Sequence, residues 1–281
     1  MFSTPIIFAN KISKFYDKKI WLKLEILNPT GSHKDRESIK MISDANKKNF
    51  RSIGCASTGN LGISLAYFAN LYGMNCYIWL RKNDINTNTL TLIRSLGARV
   101  IIKKTSSLKD LYDLSSKIMF KKKIYNANPN NSTVKILANK NIVDEINKIN
   151  KKVSIIASCI NNGSHLLGLK KGLKKKQKLV GIFSTSKLAK SINSYSKYEY
   201  LNLVKQFNIH KDFIEAKEKN ILKGVKLLLS EGLISEPSSA AVVGSLDHPI
   251  FKKEKYICCI ISGTAHKDLK SLQDLFHYTD F

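Results

Sequence analysis

A chain of 281 residues with 43% hydrophobic and 24% charged content can bury a large core, and this composition excludes a disordered protein. No apolar run approaches the roughly 20 residues of a membrane span, and the first residues lack the basic-then-apolar pattern of a secretion signal, so a cytoplasmic location is expected. The formal charge of +26 comes almost wholly from lysines spread from end to end. Their patches at Lys121 to Lys123 and Lys170 to Lys178 are not interleaved with aromatics, which argues for solvated faces and against a nucleic-acid partner.

Cys55, Cys76, Cys159, Cys258 and Cys259 form no CxxC pair and have no His-x-x-x-His partner, so neither a disulfide framework nor a metal site is expected. Three of them lie in apolar runs, where buried free thiols are the common reading.

In chain order, Thr4-Pro5-Ile6 opens as a lead-in segment, and apolar runs predict strands at 20 to 27, 51 to 57, 75 to 80, 98 to 103, 153 to 159, 179 to 184 and 256 to 262. Helical spacing is seen at Ile39, Ile42 and Ala45, and over 60 to 72, 86 to 96, 107 to 119, 134 to 149, 165 to 175, 220 to 231 and 238 to 246. The alternation predicts an α/β protein built from βαβ units around mainly parallel sheets. Residues 46 to 129 hold their own strand-helix alternation and can form a smaller domain, leaving 1 to 45 and 130 to 281 as the larger one.

Four short runs carry the chemistry, each at a predicted strand-to-helix junction or strand end. Asn28-Pro29-Thr30-Gly31-Ser32-His33-Lys34-Asp35-Arg36 places Lys34 where a lysine can face a cavity, and burial there would favour the neutral amine that attacks an aldehyde. Ala56-Ser57-Thr58-Gly59-Asn60 opens a helix whose unpaired N–H groups and dipole favour an anion; an ordinary N-cap is the alternative. Asn161-Asn162-Gly163-Ser164-His165 is a small-residue loop of the kind that grips a phosphate, or an ordinary turn. Ser262-Gly263-Thr264-Ala265-His266-Lys267-Asp268 follows the last apolar strand.

Taken in this order, the runs resemble the motifs of the fold-type II pyridoxal-phosphate (PLP) enzymes, and among them the threonine synthase family. The resemblance extends from Thr4 to Asp268 and implies two domains, each with a mainly parallel twisted sheet flanked by helices, the smaller one mobile. It implies PLP as cofactor, Lys34 as the Schiff-base lysine and proton shuttle, and Ser57, Thr58 and Asn60 as contacts to the substrate carboxylate and the cofactor oxygen. Asn161, Asn162, Gly163, Ser164 and His165 would hold the cofactor phosphate, with Asn161 and Ser164 standing where the family has glycines.

Ser262 would meet the pyridine nitrogen, leaving the ring a milder electron sink than an aspartate would. Glu236-Pro237-Ser238-Ser239-Ala240-Ala241 resembles a run that packs near the cofactor. Asn128, Lys135 and Lys140 would face a departing substrate phosphate, with Lys135 and Asn139 replacing the family's Arg and Gln. A lysine keeps the charge but loses the bidentate fork. The implied reaction is O-phospho-L-homoserine and water to L-threonine and phosphate, catalysed by a carbon-oxygen lyase acting on an amino acid. Family members are often dimers, so a homodimer is expected. The alternatives are another fold-type II activity, such as cysteine or cysteate synthesis or Ser/Thr dehydration, and a basic binding protein on the same fold.

Overall fold

The computed structural model describes residues 3–57, 59–129, 132–160, 163–193, 212–267 and 269–277. Two compact units are present, one of Met1–Gly31 with Asn139–Phe281 and one of Ser32–Ala138.

The first unit holds β1 (Ile6–Phe8), α1 (Asn10–Tyr16), β2 (Lys19–Leu24), β7 (Ile155–Cys159), α7 (Ser164–Gly172) and β8 (Lys178–Phe183). It continues with α8 (Lys190–Asn193), β9 (Phe213–Glu215), α9 (Glu218–Ser230), α10 (Pro237–Gly244), β10 (Tyr256–Ile261) and α11 (Leu269–His277). Its six strands are ordered β1-β2-β10-β7-β8-β9, parallel except for the antiparallel edge pair β1 and β2.

The central strands are apolar on both faces, as a parallel sheet covered by helices requires. Ile155, Ala157, Ile257, Cys259 and Ile261 enter one core, while Ile156, Cys258 and Ile260 enter the other. That period of two turns a continuous apolar run into two packed layers.

The second unit holds α2 (Lys34–Lys47), β3 (Ser52–Ala56), α3 (Asn60–Leu71), β4 (Asn75–Arg81), α4 (Thr87–Ser95), β5 (Arg99–Lys103), α5 (Leu108–Lys121) and β6 (Tyr125–Asn126). Its sheet is parallel, ordered β5-β4-β3-β6. Helix α6 (Thr133–Ile149) contributes its first turns to this unit and the rest to the other.

The expected smaller domain began at residue 46 and ended at 129, whereas the contacts divide the chain at 31/32 and 138/139. The difference is α2: its Met41, Ile42 and Ala45 share a core with Leu65, Phe68 and Ala69 of α3.

The predicted strand over 20 to 27 ends at Leu24, and Glu25–Leu27 forms a 3-10 turn. The elements with no counterpart in the sequence expectations are α1, α8, α11 and the short β1, β6 and β9. Two or three residues such as Tyr125–Asn126 carry too little pattern to be recognised; pairing with β3 makes them a strand.

A small part of the lysine excess has a local explanation. Helices α1, α2, α4, α5, α6 and α7 each place a lysine or arginine in their last turn, among them Lys47, Lys121, Lys148 and Lys170, where the helix dipole is negative. Helices α9 and α10 pack with almost no spacing: a Cβ on Gly224 would lie 1.9 Å from the Ala240 carbonyl oxygen, and one on Gly244 would lie 1.7 Å from that of Asn220. No helix among the described residues is long and apolar enough to cross a membrane.

Candidate active site

The segment before Lys34 is held by a buried polar network in the first unit. Lys23 Nζ donates to the Thr4 carbonyl at 2.6 Å and to Glu145 Oε2 at 2.5 Å. Thr4 Oγ1 donates to Glu25 Oε1 at 2.7 Å, and Asn28 Nδ2 donates to the Glu25 carbonyl and to Oε2 at 2.9 and 2.8 Å. Lys23 and Glu25 are both fully buried. Such buried polar networks hold their segments in place, and through this one Thr4 is tied to Lys23 and Glu25.

The Asn28-Pro29-Thr30-Gly31 turn is closed by the Gly31 N–H on the Asn28 carbonyl at 2.8 Å. Gly31 has φ +79°, which a side chain rarely adopts.

In the second unit α2 begins at Lys34 itself, so the lysine stands on its first turn. Its amine, 7% exposed with its residue, donates to Glu37 Oε1 at 2.9 Å, one turn along the same helix. Lys34 and Glu37 sit at the i,i+3 spacing that brings side chains together on a helix. Sequence reasoning missed Glu37, although that spacing was its signal.

Lys135, 1% exposed, is electrostatically coupled to both. Burial brings its amine down to about 8; the Glu37 carboxylate opposes this fall and the Lys34 ammonium adds to it. Its Nζ donates to the carbonyls of Ala127, at 3.1 Å, and Asn128.

Asn128 is committed to the scaffold. Its Oδ1 accepts from the Ala56 N–H at 2.7 Å, and its Nδ2 donates to the Ser115 and Ser116 hydroxyls at 2.9 Å and the Tyr112 carbonyl at 3.2 Å. Lys135 and Asn128 thus shape the end of β3, and the polar bonds described for them go to protein groups. Lys140, in the first unit, pairs with Asp144 at 2.8 Å on a half-exposed face of α6.

Asn60 is the first residue of the twelve-residue α3, whose leading N–H groups lack helical partners. Gly59 precedes it with no atom within 4 Å of where a Cβ would be, so the helix start is open on that side. The Gly59 N–H reaches Ser57 Oγ at 3.4 Å. Thr58 lies outside the described residues, as do Asn161 and Asn162.

In the first unit Gly163 caps α7 with φ +86°, and Ser164 and His165 open that helix as buried residues. His165 Nδ1 bonds Asn139 Oδ1 at 2.9 Å and Nε2 bonds Ser158 Oγ at 2.9 Å. An Asn139 Oδ1 acceptor puts the ring proton on Nδ1, and Nε2 then accepts from the serine hydroxyl. His165 therefore ties α7 to β7 and α6, with both ring nitrogens engaged within the protein.

Ser262, fully buried, is joined to Ser239 Oγ at 2.9 Å, Cys159 Sγ at 3.3 Å and Glu236 Oε1 at 3.3 Å. Lys267 Nζ neutralises Glu236 at 2.8 Å. Ser239 Oγ accepts from the N–H groups of Ser262 and Gly263 at 3.0 and 3.1 Å, so its own proton points to Ser262. Ser158 did not stand out in the sequence, and Ser239 did so only as a member of the Glu236 to Ala241 run, because a buried serine is identified as a site only by its neighbours. No group of His, Cys, Asp and Glu among the described residues could hold a metal ion.

These residues fit a phosphorylated aldehyde. The second unit offers a buried primary amine and, two residues before it, a fully buried Ser32 hydroxyl with no hydrogen-bond partner among the described residues; the first unit offers, by itself, a helix start with a positive-φ glycine that suits a phosphate. In open α/β sheets, strand-to-helix loops are where ligand-binding groups are presented.

The chain belongs to the pyridoxal-phosphate dependent enzyme family, whose model matches residues 1–263, and its cofactor is pyridoxal 5'-phosphate. A threonine synthase of Methanocaldococcus jannaschii is 28% identical over 94% of this chain and 75% of its own length. A cystathionine beta-synthase of Apis mellifera is 25% identical over 85% of this chain and 53% of its own. Among solved structures, maize serine racemase superposes with a TM-score of 0.83 at 16% identity, covering 99% of this chain and 92% of that one, which shows the shared fold-type II architecture.

Proposed function

We propose that the chain is a lyase of the threonine-synthase type that converts O-phospho-L-homoserine and water to L-threonine and phosphate. The observation that carries this reading is the buried Lys34 amine at the head of α2, inside the run Asn28 to Arg36. The threonine synthases among its relatives support the choice of reaction.

When bound, pyridoxal phosphate supplies an aldehyde and a ring that draws electrons from the substrate Cα. Lys34 Nζ takes the proton from Cα and moves protons at Cβ. The α3 start, with Ser57, Thr58 and Asn60, orients the substrate carboxylate and the cofactor oxygen. Gly163 and Ser164 would hold the cofactor phosphate through the N–H groups that open α7, with His165 bracing them, and Asn161 and Asn162 are assigned to the same phosphate from the sequence run alone. Ser262 would meet the ring nitrogen, with its hydroxyl oriented by Ser239 and Glu236.

For the departing phosphate the half-exposed Lys140 is the candidate in the first unit, while Lys135 and Asn128 brace the end of β3 in the second. The similarity to cystathionine beta-synthase and serine racemase favours a second reading, another replacement, elimination or racemisation on a small amino acid.

The test is release of phosphate and threonine from O-phosphohomoserine with added pyridoxal phosphate, with Lys34→Ala as blank. Equal amounts of both products, absent in the variant, support the reading. No release, with a lysine-linked chromophore present, refutes the substrate and directs assays to serine, O-acetylserine and phosphoserine.

A further inference from the structure

Two buried amines, Lys34 and Lys135, are coupled to one buried carboxylate, Glu37, which is itself fully inaccessible. Lys34 Nζ contacts it at 2.9 Å, and Lys135 Nζ donates to the carbonyls of Ala127 and Asn128. The thiol facing this cluster, Cys55, has its pKa pushed up to about 12 by burial and so adds no charge. A carboxylate in a dry site favours the charged form of the amine it touches. An ammonium cannot attack a carbonyl, because its lone pair is in the N–H bond.

Resting on the reading of Lys34 as the carbonyl-capturing lysine, we propose that Glu37 is the resting partner of Lys34. Its carboxylate binds the lysine amine whenever that amine is not bonded to an aldehyde, competes with the aldehyde for it, and receives it back on release.

Capture of an aldehyde then requires the pair to open. The proton leaves Lys34 Nζ for Glu37 or solvent, and the neutral amine adds to the aldehyde carbon. Water departs as the C=N bond forms, with its oxygen from the aldehyde and its two hydrogens from the amine. Proton transfer between nitrogen and oxygen is fast beside this addition, so the population of neutral amine sets the rate. Glu37 therefore slows capture and favours release. In the reverse direction, when a substrate amine displaces Lys34, the lysine leaves as an amine that collects a proton and returns to Glu37.

The experiment uses the full chain freed of cofactor, with Glu37→Gln and Glu37→Asp. Glutamine keeps the shape and a hydrogen-bond acceptor and removes the charge; aspartate keeps the charge and withdraws it by one methylene. Pyridoxal phosphate is added at neutral pH, the lysine adduct is trapped with borohydride at timed intervals, and its site is read by peptide mass mapping. Glu37→Gln is expected to capture about tenfold faster, with Glu37→Asp in between. Displacement of the captured cofactor from Lys34 by an added amino acid is expected to be about tenfold slower in Glu37→Gln.

Capture unchanged within twofold in a Gln variant with wild-type circular dichroism overturns the proposal. Slower capture overturns it as well and makes Glu37 the base that activates the lysine. An adduct that maps to another lysine, or that persists in Lys34→Ala, fails the underlying reading of Lys34 and not the role of Glu37.

Discussion

Lys135 offers a thermodynamic test of the buried charge cluster. Its amine falls from the usual 10.5 to about 8, with burial as the largest cause. Between these values the unfolded chain holds a proton that the folded chain does not, so stability rises with pH across the window from about 8 to 10.5. At about 1.4 kcal/mol per pH unit the rise approaches 3 kcal/mol, and below the window the cost of the buried charge is fully present.

Lys135→Met removes the titration. It also leaves the Ala127 and Asn128 carbonyls without this donor, a loss of about 1 to 3 kcal/mol that does not vary with pH. Urea unfolding of both proteins at pH 7.5, 9 and 10.5 reads the effect, because the groups outside this buried cluster titrate alike in the two. The wild type is expected to gain on the variant by about 3 kcal/mol over that range. Parallel pH profiles would refute the reasoning and mean that Lys135 keeps an ordinary affinity for its proton in the fold.

Two further outcomes are expected. Gly244→Ala drives a methyl into the Asn220 carbonyl of α9 and should cost about 3 kcal/mol or more, read as a lowered urea midpoint; the same change at Gly73, which has open space but φ +66°, should cost less. All five cysteines are buried, and burial pushes the Cys55 and Cys258 thiols up to about 12, so a maleimide or disulfide reagent at pH 8 should label none until the chain is unfolded. Stoichiometric labelling of the folded protein would contradict this.

The seven runs read as strands all appear as strands in the structure, most of them shifted by a residue or two, because each is an apolar stretch long enough to carry its own signal. The alternation with helices was equally local, and it sufficed for the α/β class. Lys34 was legible for the same reason: the run around it is contiguous, and the helix starts on the lysine itself. Residues whose meaning lies in a partner far along the chain were not.

Ser158 became part of a site only when α7 brought His165 to it, and Ser239 only when α10 met the end of β10. Asn128 and Lys135 read as groups that could meet a substrate. In the structure the Asn128 side-chain oxygen accepts from the Ala56 N–H and the Lys135 amine donates to the Ala127 carbonyl, because buried polar groups take partners within the protein.

The sequence by itself determined the strand-helix alternation, the order of the motifs and the lysine, since these depend on spacing within a few residues. Only the tertiary structure decided the strand order, the assignment of α2 to the four-stranded unit and the coupling of Lys135 to the Lys34–Glu37 pair. Each of those depends on which distant segments share a buried, low-dielectric space, and packing alone sets that.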